Sequence, residues 1–145
     1  MSKPPALTCW ILVAEDDGDD QRLLADAFEQ CGIDCRLEFH GDGESLLGAL
    51  GACTPSSPPR LILLDLNMPR MDGRETLDRL RADPVLARVP VVVMSTSAAE
   101  DDSSRARRAG CDAYFVKPSD YGALLDMVGL IARRWLQAPS TGAAG

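Results

Sequence analysis

Long apolar runs are missing from this sequence of 145 residues. A membrane-spanning helix needs roughly 18–20 apolar residues in succession, and no stretch approaches that length. A secretory signal peptide is not expected either, because the apolar stretch nearest the start, residues 9–14, is short and runs directly into acidic residues. We therefore predict a cytoplasmic protein that makes no membrane contact.

Basic residues are in the minority, with 15 lysines and arginines against 22 aspartates and glutamates and a formal charge of −7. A nucleic-acid-binding surface requires a basic patch or stripe, so the balance disfavours a nucleic-acid partner. The 46% hydrophobic share is typical of a globular chain. Because the length suits one domain, we predict a single domain at residues 9–136, an N-terminal extension at 1–8 and a flexible C-terminal tail at 137–145.

Metal-binding and redox motifs are also absent from the sequence. None of the five cysteines forms a pair with two intervening residues, the spacing of zinc and redox motifs, and His40 is the only histidine. The nearest pair, Cys31 and Cys35, has three residues between its members. We therefore predict reduced, buried thiols and expect no catalytic cysteine–histidine pair.

Short apolar segments alternate with amphipathic ones along the chain. The predicted strands lie at residues 9–14, 35–40, 61–64, 91–94 and 113–116. The predicted helices lie at about 23–31, 44–50, 74–82, 99–109 and 120–136. Five successive βα units predict an α/β fold, a doubly wound five-stranded parallel sheet with helices on both faces.

Polar residues follow the strands of this predicted sheet. Glu15 and Asp16 follow the first strand, Asp65 the third, Ser95 the fourth and Lys117 the fifth. The carboxyl ends of parallel strands form one edge, where open α/β sheets bind ligands. Clustered carboxylates suit Mg²⁺, and one of them can act as a nucleophile that forms an aspartyl-phosphate. The ammonium and hydroxyl groups can stabilise the transferred phosphoryl oxygens.

Each of these residues also has a structural explanation when it is taken alone. The acidic run that ends in Asp19 and Asp20 can be a solvated loop that caps a helix, which is the role we predict for these two residues. Asp65 can form a turn, Ser95 can cap a loop and Lys117 can be a surface lysine. Their convergence on one edge of the sheet favours a functional site.

Four segments resemble the receiver domain of two-component response regulators, which has the flavodoxin-like or CheY-like fold. Their sequences are ILVAEDD at 11–17, LLDLNMPRMDG at 63–73, VVMSTS at 92–97 and YFVKP at 114–118. The resemblance implies that Asp65 accepts a phosphoryl group from a phosphohistidine of a sensor histidine kinase. It also implies a Mg²⁺ site, with Mn²⁺ as a possible substitute, formed by Glu15, Asp16, Asp65 and the backbone carbonyl of Asn67.

The resemblance further implies a switch that reports phosphorylation. Lys117 would pair with the phosphoryl oxygens, Ser95 would be the switch hydroxyl, and Tyr114 would be the aromatic residue that turns inward. The peptide bond before Pro118 would be cis. The face formed by the fourth helix, fifth strand and fifth helix would then differ between the two states.

The expected partners are proteins. Because nine residues follow residue 136, we expect output through an unknown downstream protein or through action as a phosphate relay or sink. The Pro/Ser-rich loop at 54–59 and the ending at 135–136 resemble stand-alone regulators that work with phytochrome-type sensor kinases, including bacteriophytochromes.

The last predicted helix suggests a homodimer. Its core stripe leaves Leu130 roughly opposite and Met127 at the edge. We expect a dimer through this helix or through the neighbouring face of the fourth helix and fifth strand. The stripe comprises Leu124, Val128, Ile131, Ala132 and Trp135.

Two other function classes fit parts of the pattern. A phosphatase of the haloacid dehalogenase type also forms an aspartyl-phosphate, but it needs a second aspartate two residues after the nucleophile, where this chain has Asn67. A binding module that keeps the fold without phosphorylation would not need Asp65 or Lys117. We predict a phosphoacceptor signalling protein whose only chemistry is self-phosphorylation and autodephosphorylation.

Overall fold

The computed structural model describes residues 9–51, 58–68 and 73–136. A parallel sheet in the order β2-β1-β3-β4-β5 forms the centre of this part of the chain. Its strands are β1 (Cys9–Ala14), β2 (Cys35–His40), β3 (Leu61–Asp65), β4 (Val91–Ser95) and β5 (Ala113–Val116). The order and the parallel pairing confirm the predicted doubly wound α/β fold.

Helices alternate with these strands, as the sequence predicts. They are α1 (Gly18–Gln30), α2 (Gly43–Gly51), α3 (Gly73–Ala82), α4 (Glu100–Arg108) and α5 (Tyr121–Ile131). A short 3₁₀ turn at Leu86–Arg88 precedes β4, and a π-helical segment at Ala132–Leu136 continues α5. None of the helices in the described ranges is long and apolar enough to cross a membrane.

The central strands β1, β3 and β4 separate two apolar cores. Every residue of β3 and β4 is buried, as expected for parallel strands covered on both faces. Because successive side chains point to opposite faces, Leu12 and Leu64 pack towards Leu77 of α3. Ile11 and Leu63 belong instead to the core beneath α1 and α5.

The last helix largely follows its predicted stripe. Met127, predicted at the edge of the stripe, is buried, whereas Leu130 is 46% exposed as predicted. The side chain of Asp120 caps α5 by accepting from the backbone N–H of Ala123 at 2.7 Å. The N-terminal extension at 1–8 and the C-terminal tail at 137–145 lie outside the described residues.

The prediction of reduced, buried thiols is wrong in two respects. Cys9 and Cys35 form a disulfide between β1 and β2, and Cys31 is exposed. The strand register places Cys9 opposite Cys35, with 4.5 Å between their Cα atoms, within the range that a disulfide spans. Cys111 is a buried free thiol as predicted, and burial raises its pKa. Cys53 lies outside the described residues.

Candidate functional site

Three polar side chains are buried where central strands end. Glu15 follows β1, Asp65 ends β3 and Ser95 ends β4, and none of the three residues is more than 6% exposed. Parallel pairing brings these strand ends to one edge of the sheet. Unpaired carboxylates are costly to bury, so this edge requires a source of positive charge.

Lys117, just after β5, supplies that positive charge. Its Nζ lies 2.7 Å from Asp65 Oδ2, 3.0 Å from Asp20 Oδ2 and 3.3 Å from Glu15 Oε1. Its backbone N–H donates to the carbonyl of Ser95 at 2.7 Å, which holds the loop after β5 against β4. Burial alone would lower the pKa of Lys117, but hydrogen bonds to Asp65 and Asp20 and the nearby carboxylate charges raise the pKa above its usual range.

Glu15 shows that a single ammonium does not neutralise the site. Its Oε2 accepts from the backbone N–H of Asp17 at 3.1 Å. Oε1 is buried and forms the ion pair with Lys117 at 3.3 Å, but it has no hydrogen-bond partner in the part of the chain that is described. Burial, followed by the hydrogen bond and charge of Asp65, raises the pKa of Glu15 to about 7. The edge therefore holds a buried excess of carboxylate oxygen.

This excess suits a hard divalent cation. Magnesium takes oxygen ligands and usually keeps several waters, so it needs only one or two carboxylates. Glu15 and Asp65 supply such oxygens, and the side chain of Asp16 is exposed next to them. In the described ranges no group of three or more histidine, cysteine or acidic side chains is arranged to hold a metal ion, so a cation at this edge would take its remaining ligands from water or backbone oxygens.

Asn67 links the loops that follow β3 and β4. Its backbone N–H donates to Asp65 Oδ1 at 2.9 Å, and its side-chain oxygen accepts from the backbone N–H of Thr96 at 2.6 Å. Both carboxylate oxygens of Asp65 therefore have partners, since Oδ2 accepts from Lys117. The orientation of the Asp65 carboxylate is thus held by the backbone on one side and by the ammonium on the other.

Ser95 and Tyr114 meet at Ser97. The hydroxyl of Ser95 accepts from the backbone N–H of Ser97 at 3.1 Å, and the phenolic O–H of Tyr114 donates to the carbonyl of Ser97 at 2.8 Å. The side chain of Ser97 in turn donates to Asp102 of α4. The loop after β4 is therefore connected to β5 and to α4 through one residue.

The peptide bond before Pro118 is trans, although the family resemblance implies a cis bond. The described residues contain no cis peptide bond. The trans form of an X–Pro bond is favoured by only about 0.5–1 kcal/mol, so local packing can select either isomer. Lys117 contacts Asp65 with the bond in the trans form.

Asp20 belongs to the site, although the sequence predicts that it lies in a solvated loop that caps a helix. Asp17 is the residue that caps α1, by accepting from the backbone N–H groups of Asp19 and Asp20. Asp20 instead contacts Lys117. The helical spacing contains the signal, because Asp20 precedes buried Leu24 by four residues and therefore shares its face of α1.

Three comparisons relate this chain to known proteins. The family model described as response regulator receiver domain matches residues 11–129. Response regulator Rcp1 from Synechocystis sp. is 37% identical over an alignment of 146 positions, which covers 99% of this chain and 97% of Rcp1. The crystal structure of the Mn²⁺-bound form of response regulator Rcp1 matches with a TM-score of 0.77 and 35% identity, over 90% of this chain and 96% of that chain.

Two further solved structures are similar to this chain. Response regulator RPA3017 in red light signaling of R. palustris matches with a TM-score of 0.82 and 31% identity, over 89% of this chain and 94% of that chain. The phosphorylated cyanobacterial phytochrome response regulator RcpA matches with a TM-score of 0.79 and 34% identity, over 90% and 95% of the two chains.

Proposed function

Because this chain belongs to the response regulator receiver domain family, we propose that Asp65 is the residue that accepts its phosphoryl group. Receiver domains interact with sensor kinases, so the donor is a phosphohistidine. A carboxylate oxygen of Asp65 attacks the phosphorus, the phosphorus–nitrogen bond breaks, and its electron pair stays on the histidine nitrogen. The observation that carries the proposal is the contact of 2.7 Å between Lys117 Nζ and the buried Asp65 carboxylate. This contact places a positive charge beside the oxygens on which negative charge develops during phosphoryl transfer.

A divalent cation completes the site in this proposal. Glu15, Asp16, Asp65 and the backbone carbonyl of Asn67 would hold Mg²⁺, with Mn²⁺ as a substitute. The buried Glu15 oxygen without a hydrogen-bond partner supports this ligand set, as does the crystal structure of the Mn²⁺-bound form of the relative Rcp1. When bound, the cation would neutralise phosphoryl oxygens during transfer.

Phosphorylation would act through Ser95 and Tyr114. The Ser95 hydroxyl accepts from the Ser97 backbone N–H and has its own proton to donate to a phosphoryl oxygen, so movement of Ser95 towards that oxygen would draw the Ser97 backbone with it. Ser97 would then shift, and the hydrogen bond between its carbonyl and Tyr114 would break. Tyr114 is thereby released to turn inward, and the surface of α4, β5 and α5 changes.

The chain is a receiver-domain signalling protein rather than a classical enzyme. Autophosphorylation from small donors and autodephosphorylation are its proposed chemistry. Asn67, two residues after Asp65, has a side-chain amide and therefore offers no second carboxylic acid of the kind that an aspartyl-phosphate phosphatase uses.

The proposed partner is a phytochrome-type sensor histidine kinase, such as a bacteriophytochrome, in the cytoplasm. This proposal rests on relatives described as a phytochrome response regulator and as part of red light signaling. Output would pass to an unknown downstream protein, or the chain would serve as a phosphate relay or sink. Val116 of β5 is 49% exposed and Leu130 of α5 is 46% exposed, which supports a homodimer through α4, β5 and α5.

Intact-mass measurement tests the phosphoacceptor directly. After incubation with acetyl phosphate and Mg²⁺, the wild type should gain one phosphoryl group, and Asp65→Asn should gain none. Asp26→Asn, which neutralises an exposed aspartate of α1, is the matched control and should behave as wild type. An equal mass gain in Asp65→Asn would refute the proposal.

A further inference from the structure

A basic groove lies between α3 and α4, away from the acidic edge of the sheet. Arg74 of α3 and Arg105 and Arg108 of α4 line a cavity of about 360 Å³ together with Asp78. All three arginines are exposed. Within the described ranges none of them has a carboxylate within salt-bridge distance, and one aspartate cannot neutralise three guanidinium groups.

Helix electrostatics do not account for this cluster. Arg105 and Arg108 lie in the last turn of α4, where positive charge is favourable. Arg74, however, is in the first turn of α3, where the helix dipole disfavours a cation. Two neighbouring arginines of α3 behave differently, since Arg79 pairs with Glu75 and Arg81 pairs with Asp112.

The groove continues into a mainly apolar cavity. This second cavity, of about 250 Å³, shares Arg74 and Arg105 with the first, and its walls include Leu77, Ala106 and Tyr114. The one acid among its lining residues, Asp102, already accepts a hydrogen bond from the Ser97 hydroxyl. Guanidinium groups at a rim beside an aromatic and aliphatic pocket are typical of the anchor regions of protein interfaces.

We propose that the α3–α4 groove binds a short acidic segment of a partner protein, with an apolar side chain of that segment in the adjoining cavity. Carboxylates form two-point hydrogen bonds with guanidinium groups, and a peptide can offer both carboxylates and an apolar anchor. A nucleic acid fits less well, because its phosphate backbone has no apolar side chain to occupy the mainly apolar adjoining cavity.

The position of the cavity connects such a partner to the switch. Ser95 and Tyr114 both line it, so an inward turn of Tyr114 would change the space available to the apolar anchor. This coupling rests on the function proposed above, whereas binding to the groove does not.

Fluorescence anisotropy tests the groove with a defined probe, a short labelled peptide of glutamates around a central phenylalanine. The unphosphorylated wild type should bind it, and affinity should fall as salt rises from about 50 to 200 mM. Arg74→Glu and Arg108→Glu should each weaken binding about tenfold. Arg79→Glu makes the same charge change on α3 outside the groove and should alter affinity less than about twofold.

Several outcomes would overturn the assignment. If Arg79→Glu weakened peptide binding as much as the groove variants do, the peptide would be attracted to the general charge of α3 and not to a site. If a peptide with glycine in place of phenylalanine bound with unchanged affinity, the apolar anchor would be excluded. Self-association of the chain that is lost in Arg74→Glu, measured by light scattering, would assign the groove to a second copy. Unfolding curves of each variant identify any loss of peptide binding that is due to misfolding.

Phosphorylation provides a separate arm. Peptide affinity should change after acetyl phosphate and Mg²⁺ in the wild type and stay constant in Asp65→Asn. An unchanged affinity in wild-type protein whose phosphorylation is verified by mass would overturn the coupling to Tyr114. A failure to phosphorylate, with the binding to unphosphorylated protein intact, would count against the proposed phosphoacceptor and not against the groove.

Discussion

The carboxyl edge of the sheet and the α3–α4 groove both hold an excess of one charge, in opposite environments. At the edge, Glu15 and Asp65 are almost fully buried around the ammonium of Lys117. In the groove, Arg74 and Arg108 are exposed to water. Because burial removes the solvation of a charge, the edge stores unfavourable free energy that a cation can relieve. The exposed arginines of the groove remain solvated, so without a partner they lower the stability of the fold very little.

The largest effect should follow from removal of the ammonium. Lys117→Met leaves the buried carboxylates of Glu15 and Asp65 without their cation, so the free energy of unfolding should fall by about 3–5 kcal/mol. Chemical denaturation without divalent cations measures the change. The double variant Lys117→Met/Glu15→Gln should recover a large part of the loss, because it removes one of the repelling charges. A single variant as stable as the wild type would contradict the description of the edge.

Glu15→Gln should stabilise the protein in the absence of divalent cations. The pKa of Glu15 is raised from 4.5 to about 7 in the folded chain, so the folded state binds this proton more tightly than the unfolded state does. Wild-type stability therefore falls as pH rises from about 4.5 to 7, and the glutamine variant avoids that fall. The variant should be more stable by about 1–3 kcal/mol at pH 8, with little difference near pH 4.

Magnesium should reverse the relative stability of the wild type and Glu15→Gln. It should stabilise the wild type at pH 8, because the ionised Glu15 is a proposed ligand, and it should stabilise Glu15→Gln much less. Denaturation curves with and without Mg²⁺ give both differences. Equal stabilisation of the two proteins would mean that Glu15 is not a ligand.

The fold and most of the edge could be predicted because their signals are local. Apolar runs such as residues 61–64 mark buried parallel strands, and a parallel sheet places residues such as Asp65 and Lys117 at a common edge. The Cys9–Cys35 disulfide depends on the register between β1 and β2, which cysteine spacing does not encode. The contact of Asp20 with Lys117 is also partly a tertiary property, because helical spacing places Asp20 on the inner face of α1 but does not specify that Lys117, after β5, lies within reach of it.

A smaller effect is expected where the edge and the groove meet. Tyr114→Phe removes the hydrogen bond to the Ser97 carbonyl and keeps the ring in the wall of the apolar cavity. The free energy of unfolding should fall by about 0.5–1.5 kcal/mol, the usual contribution of one such bond. Thermal or chemical denaturation measures it. A loss comparable to that of Lys117→Met would show that Tyr114 supports the buried edge more directly than its contacts indicate.

The smallest effect on stability should come from the groove itself. Arg108→Glu reverses a charge that is exposed and has no salt bridge in the described part of the chain, so the free energy of unfolding should change by less than about 0.5 kcal/mol. Any small loss should come from the unfavourable placement of an acid in the last turn of α4, and it should shrink as salt rises. Denaturation at low and high salt, with Arg107→Glu as the matched reversal of an exposed charge in the same turn of α4, checks both points. A salt-independent loss of several kcal/mol would mean that Arg108 supports the packing of α4, and the contrast between a costly buried edge and an inexpensive exposed groove would fail.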